Sequence, residues 1–260
     1  GVHGLGGGGT GAPPPPPLVG DEAGTADAAV APHPLTIEAS LDPGLSRWQW
    51  LVKWVLAIPH LVVLAFLWLA LLVTTFVSGV AILFTGRYPS SLFHFAVGVL
   101  RWSWRVDYYA FSGGLGTDRY PPFSLGADDS YPARLDVVEP PELSRGLVLV
   151  KWWLLAIPHY LVVAILLGGA WGTGSGSEPQ GTLGLLSLLT LVAAVVLLFR
   201  GAYPRSLFDL VVGLNRWVYR VAVYALLLTD EYPPFRLDQG PSEPSTAVDQ
   251  LVAPETGPPT

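Results

Sequence analysis

Two arginine pairs are the residues in this chain best placed to do chemistry: Arg101 and Arg105 beside Trp102, and Arg216 and Arg220 beside Trp217. Each pair is spaced to fall on one face of a helix. A guanidinium holds phosphate through two parallel N–H donors, which lysine cannot copy, and indole rings settle at the headgroup level of a bilayer. The pattern points to binding of anionic lipid headgroups. The competing reading has the arginines anchor their own helix or pair internally with Asp118, Asp209 and Asp230.

Other reactive groups carry weaker signals. His60 and His159 each follow a proline that kinks a helix, Pro59 and Pro158. Such a histidine can carry protons or bind a metal, but more often it is polar glue between apolar helices. Lys53 and Lys151, earlier on the same helices, are expected to snorkel to the membrane boundary. Asp118 and Asp230 sit in a repeated Thr-Asp-X-Tyr-Pro-Pro-Phe and are read as partners of the arginines rather than as catalytic acids. No GxSxG, HExxH or Walker-type loop is present, and no two carboxylates form an obvious facing pair. Cysteine is absent, which excludes disulfides, thiolate catalysis and Cys-ligated metals. No catalytic residue, metal or cofactor is expected, and nothing resembles a basic nucleic-acid surface.

The elements that must position these groups occur twice. KWVLAIPH at 53–60 returns as KWWLLAIPH at 151–159; GRYPSSLFHFAVGVLRW at 86–102 returns as GAYPRSLFDLVVGLNRW at 201–217; TDRYPPFSL at 117–125 returns as TDEYPPFRL at 229–237. Three blocks in one order mean duplication, on a period that suits paired membrane halves. Each unit opens on an alternating stretch, 35–39 and 133–137, that reads as a short strand. Gly86 and Gly201 are placed to stop a helix, and Pro89 and Pro204 to start the next. That next helix, about 90–112 and 205–228, carries a polar stripe: His94, Gly98, Arg101, Arg105 and Tyr108, then Asp209, Gly213, Arg216 and Arg220. It is expected to lie on the membrane surface. As a third span it would bury two arginines, at roughly 2.5–3.5 kcal/mol each, and make the two units inverted.

Ahead of each striped helix lies an apolar region. Half the chain is apolar (51%), only 13% is charged, and the mean hydropathy is +0.46. Residues 61–84 and 182–199 contain no charged side chain. In the second unit the apolar region is split at 172–181 by GTGSGSEPQG, giving spans at about 147–171 and 182–199. The first unit's region, 49–84, would make a helix of roughly 54 Å, longer than a bilayer core of about 30 Å requires. A hairpin turning near residues 70–74 is therefore expected. With two hairpins, all 14 basic residues fall on one side, and the opposite loop carries Glu178 and no base. The positive-inside rule then puts both termini in the cytoplasm. Residues 1–32, rich in Gly and Pro, and 238–260, acidic and rich in Pro, read as disordered tails, and 126–130 as the linker between units 33–125 and 131–237. The net charge of −6 resides mainly in flanks and linker. The chain starts at Gly1 and has no Met, so the numbering is expected to begin past the initiator, with insertion directed by the first transmembrane helix.

The repeated blocks LAIPH, ILFTGRYPSSLFHFAVGVLRW and TDRYPPFSL resemble the DUF4389 domain of bacterial membrane proteins, over about 33–125 and again 131–237. The resemblance implies a membrane location and brings no activity and no functional residues. Arg87 and Arg119 become Ala202 and Glu231 in the second copy, so these arginines are not needed twice. The expected fold is an all-α membrane protein of two tandem repeats. Each repeat is a short strand, a transmembrane hairpin and an amphipathic interfacial helix, in a bacterial inner membrane. The expected function is that of a non-enzymatic accessory subunit or lipid-interacting scaffold, with membrane lipids and other membrane-protein subunits as partners. The alternative is a transporter or channel component with duplicated halves.

Overall fold

The computed structural model describes residues 1, 33–168 and 184–240. The expected insert at 172–181 and nearly all of both expected tails lie outside the described residues. The two short strands form where alternation predicts them, β1 at Leu35–Ala39 and β2 at Ala133–Val137. After β1 come α1 (Trp50–Leu56), α2 (Ile58–Thr85) and α3 (Ser90–Ala110). After β2 come α4 (Leu147–Val150), a π-helical turn (Lys151–Leu155), α5 (Ile157–Leu167), α6 (Leu185–Arg200) and α7 (Arg205–Ala225). Pro59 and Pro158 stand in the first turn of α2 and α5, so the expected kink is a helix boundary at Ala57 and Ala156. Gly86 and Gly201 end α2 and α6 in the left-handed conformation (φ 73° and 68°), which glycine adopts without steric cost.

Neither hairpin forms. α2 is one helix of 28 residues, about 42 Å long, and is long and apolar enough to cross a membrane by length and composition. Ala70-Leu-Leu-Val-Thr74 supplies no Gly or Pro at which a chain could reverse, so the helix keeps its hydrogen bonds by continuing. In the second repeat, the start of α5 lies at the far end of α7: His159 meets Trp217, and Lys151 meets Thr229. α6, joined to the start of α7 through Gly201–Pro204, also runs antiparallel to α7. α5 and α6 therefore point the same way. Gly184, just before α6, sits against the backbone of Leu167 and Gly168 at the end of α5. With 11 and 16 residues, the two helices follow in two pieces the course that α2 takes in one. Their shared apolar face explains this, since Leu166 and Leu186 both join Val211 and Leu214 of α7. The four-span topology that depended on the hairpins goes with them.

The repeats are related by a pseudo-twofold axis. β1 and β2 pair antiparallel with Ile37 opposite Leu135, which are equivalent positions. Trp104 of α3 packs edge-on against its own equivalent, Tyr219 of α7, at 5.5 Å between ring centroids. Because the axis reverses direction, the long helices run antiparallel. Leu143 and Arg145, ahead of α4, meet Gly86 at the end of α2, and Arg47, ahead of α1, meets Gly201 at the end of α6.

Contacts stack the elements in three layers. β2 lies on α3 and β1 on α7; α2 lies on α3, and α5 and α6 on α7. Each striped helix is thus covered by the other repeat's strand. This overturns the expected interfacial helix: α3 and α7 form the middle layer. Trp104, Arg105 and Tyr108 of α3 and Arg216 and Arg220 of α7 are fully enclosed. The stripe faces chain instead of headgroups. Arg101 Nε donates to Leu135 O and Arg216 Nε to Ile37 O, both at 3.0 Å, so each repeat's arginine holds the central carbonyl of the other repeat's strand.

Arg216→Ala, by stripping donors from the buried carbonyls of Ile37 and Asp238, should cost about 2–5 kcal/mol. Arg101→Ala, at a half-buried site, should cost less; thermal unfolding followed by circular dichroism gives the order. His33, buried ahead of β1, has its imidazole held down to about 4 by burial and by nearby Arg220 and Arg236. An imidazole that is neutral when folded and protonates near 6.5 when unfolded stabilises the fold above that pH. Stability should therefore fall between pH 6.5 and 4, and His33→Asn should flatten that slope.

Candidate functional site

The three repeated blocks converge at one place in each repeat, where the loop after α3 or α7 folds back over the start of the long helix. In the first repeat Lys53 of α1 is buried and reaches Asp118 at 2.8 Å and the Thr117 carbonyl at 2.6 Å. Its ammonium stands 5.3 Å from the Tyr109 ring centre. Asp118 also accepts the backbone N–H of Ser46 at 2.5 Å. In the second repeat Lys151 reaches Asp230 and the Thr229 carbonyl, each at 2.8 Å, and faces Tyr224 at 5.4 Å. Asp230 accepts the N–H of Ser144 at 2.5 Å. Burial lowers the pKa of both lysines, while hydrogen bonding and charge from their aspartates raise it. The expected snorkelling does not occur, because the Thr-Asp loop supplies acceptors at the spot where the lysine stem ends.

Farther along the long helix, each histidine is stacked between loop and helix. His60 lies flat on Phe123 (3.8 Å, 14°) and accepts the Trp102 indole N–H at Nδ1, at 3.0 Å. His159 lies on Phe235 (4.3 Å, 16°) and accepts from Trp217 at 3.4 Å. Tyr120 and Tyr232 close each ring cluster, both 4.8 Å from the imidazole centroid. An acceptor at Nδ1 places the proton of a neutral ring on Nε2. Trp102 and Trp217, expected at headgroup depth, instead orient these histidines.

The tail of each loop then runs along the arginine stripe. Gly98 and Gly213 let it approach: a side chain at Gly98 would strike Leu125, and one at Gly213 would meet the Asp238 carbonyl. Arg101 and Arg105 donate to the carbonyls of Leu125, Ser124 and Gly126. Arg216 donates to the Asp238 carbonyl at 2.7 Å, and Arg220 to its carboxylate at 2.7 Å. Asp118 and Asp230, expected opposite these arginines, are drawn to the lysines instead, since the loop carries them past the stripe to α1 and to the π-helical turn. Asp209, on α7, makes no ion pair among the described residues. A cavity of about 290 Å³ beside Arg101, Arg105 and Arg134 is also lined by Glu38, Asp128, Asp129 and Asp136, a poor setting for phosphate.

Some participants escaped the sequence reading. Asp136 and Asp238 carry the arginine ion pairs, at 3.0 and 2.7 Å. Ser46 and Ser144 were signalled by a fourth repeated word, Leu-Ser-Arg at 45–47 and 143–145. Among the described residues, no group of three His, Cys, Asp or Glu could hold a metal. What each site does chemically is hold a loop: an ion pair, a carbonyl clamp and an aromatic stack fasten Thr-Asp-X-Tyr-Pro-Pro-Phe to the long helix. Lys53→Met and Asp118→Asn should each lower the melting temperature. Combined, they should lose less than the sum, with a coupling of about 1–3 kcal/mol in a double-mutant cycle.

No curated protein and no solved structure matches this chain. A family model described as "Domain of unknown function (DUF4389)" matches residues 47–124 and 182–236. The first segment spans α1 to the Phe123 stack, and the second runs from the residues before α6 to Phe235 and Arg236, so each contains one loop and its arginine stripe. The chain belongs to the DUF4389 family and carries two matching segments in tandem.

Proposed function

We propose that this protein is a non-enzymatic membrane protein of the bacterial inner membrane, a lipid-interacting scaffold or accessory subunit. The observation that carries this reading is the outer face of the long helices. Val62, Phe66, Leu69, Val73, Phe76, Val80 and Phe84 recur every three or four residues on one face of α2, and all are exposed, Phe76 at 75% and Phe84 at 78%. The second repeat continues the face with Ile157, Leu161 and Ile165 of α5 and Leu188, Val192, Val195 and Phe199 of α6. A monomer in water rarely leaves more than a few hundred Å² of contiguous apolar surface bare, and this face extends along two helical runs each about 40 Å long.

The polar groups support a structural role. Lys53, Lys151, Asp118 and Asp230 are occupied in fastening loops, and the arginine stripes in binding backbone. A transporter would need a polar path along those stripes, where chain segments 124–126 and 238 already lie. In vesicle flotation the protein should travel with lipid and resist carbonate extraction. Replacing Phe66, Leu69 and Phe76 together by Ser should cut the partition coefficient by about tenfold or more per residue. Wild-type protein that stays in the aqueous fraction would dismiss the reading.

A further inference from the structure

We infer that the protein lies flat in one leaflet: α1–α2 and the α4–α6 series rest in the plane of the membrane, the pseudo-twofold axis stands along the membrane normal, and the sheet faces water. This orientation rests on the membrane reading above and adds to it how the molecule enters the bilayer.

The layer order is the first argument. The sheet is carried on α3 and α7 at Arg101 and Arg216, near the middle of both helices. If the helices stood upright, the sheet would sit at mid-bilayer. Glu38, Arg134 and Asp136, which lie on it, would face hydrocarbon, at about 2.5–3.5 kcal/mol for each charge. Chain connectivity repeats the objection. From the end of α3 the chain must travel back to the end of α2 before α4 begins, through Asp128, Asp129, Glu139 and Glu142, none of which is helical. Laid flat, all of this chain is in water.

Charge placement is the second argument. Exposed Arg47 lies against Gly201 beside Arg200 and Arg205, and exposed Arg145 lies against Gly86 beside Arg87, which also faces Glu142 at 3.9 Å. The pseudo-twofold axis sets these two clusters at opposite ends of the long helices. Upright, they would face opposite sides of the membrane, against the positive-inside rule. Flat, both reach the phosphates of one leaflet, while Glu38, Asp128, Asp129 and Asp136 are held away from them on the sheet side. The third argument is the apolar face itself, which runs the full length of α2 without a polar end, as an in-plane helix requires.

The cysteine-free chain permits a direct depth measurement. Single cysteines at Val62, Leu69, Phe76 and Phe84 are labelled with bimane in the full chain, in vesicles of phosphatidylethanolamine and phosphatidylglycerol. Quenching by lipids with nitroxides at shallow and deep acyl positions then gives the depth of each. Flat insertion predicts one depth for all four, and a Thr36→Cys label that neither quencher reaches. Upright insertion predicts that Leu69 and Phe76 lie far deeper than Val62 and Phe84, by about 10–12 Å. That V-shaped profile would overturn the inference and leave the membrane reading standing. Absence of quenching at every position, in protein whose circular dichroism is unchanged, would overturn both.

Discussion

Guanidinium groups inside a protein must find acceptors, and in this one Arg101 and Arg216 find one each in the other repeat. Burying an ion without partners costs several kcal/mol, so Arg101 and Arg216 enter the middle layer at lower cost when the opposite strand is in place. Leu135 and Ile37 offer their carbonyls at the centre of the two-stranded sheet, each to the arginine of the other repeat. Strand and helix are exchanged across the axis, and Arg101 and Arg216 each take one acceptor from the other copy of the duplicated unit. The three layers, the antiparallel long helices and the covered stripes all follow from that exchange.

Within each repeat a second device works locally. The Thr-Asp-X-Tyr-Pro-Pro-Phe loop is short, closed by prolines, and fastened at both ends: by lysine at the aspartate and by histidine at the phenylalanine. Because the tail of the loop covers Gly98 or Gly213 and the arginines beyond, the same segment caps the long helix and fills the stripe. The copies differ where the geometry is less demanding. Gln49 donates to the Asp118 carbonyl in the first repeat, and Leu147 stands at its place in the second. The residue that ends the loop tail is Gly126 in the first copy and Asp238 in the second. Gly126 offers Arg105 a backbone carbonyl at 2.5 Å, where Asp238 offers Arg220 a carboxylate at 2.7 Å and shares it with Arg236.

The two outer faces are unlike. One is an apolar face along α2, α5 and α6; the other bears the sheet with its exposed carboxylates and the Arg134–Glu38 pair at 3.4 Å. Burial of every stripe arginine but the half-buried Arg101 leaves the arginines at the ends of the long helices as the exposed positive charge nearest the apolar face. A guanidinium that binds backbone carbonyls inside the fold is not available to a lipid phosphate. In the flat orientation proposed above, headgroup contact would pass from the stripe to Arg47, Arg145, Arg200 and Arg205.

Much was legible without coordinates. Alternation located both strands, glycine and proline located the ends of α2 and α6 and the starts of α3 and α7, and the repeated words marked the residues that meet at each loop. These features are local, decided by backbone conformation and by periodicity within one element. Two matters were not. The run 58–85 is long enough to suggest a turn yet supplies no residue to make one at 70–74, and packing along α3 supports it as one helix. A polar stripe likewise records that one face of a helix is not apolar, and says nothing of what covers it. The partner of Arg216 is Ile37, 179 residues away, and a hydrogen bond to a backbone carbonyl leaves no mark on the side chain that the sequence displays. Sequence alone determined the strands, the helix ends set by glycine and proline, and the duplication; the tertiary structure decided that the copies exchange strands, because there Arg101 and Arg216 each meet the central carbonyl of the other copy's strand.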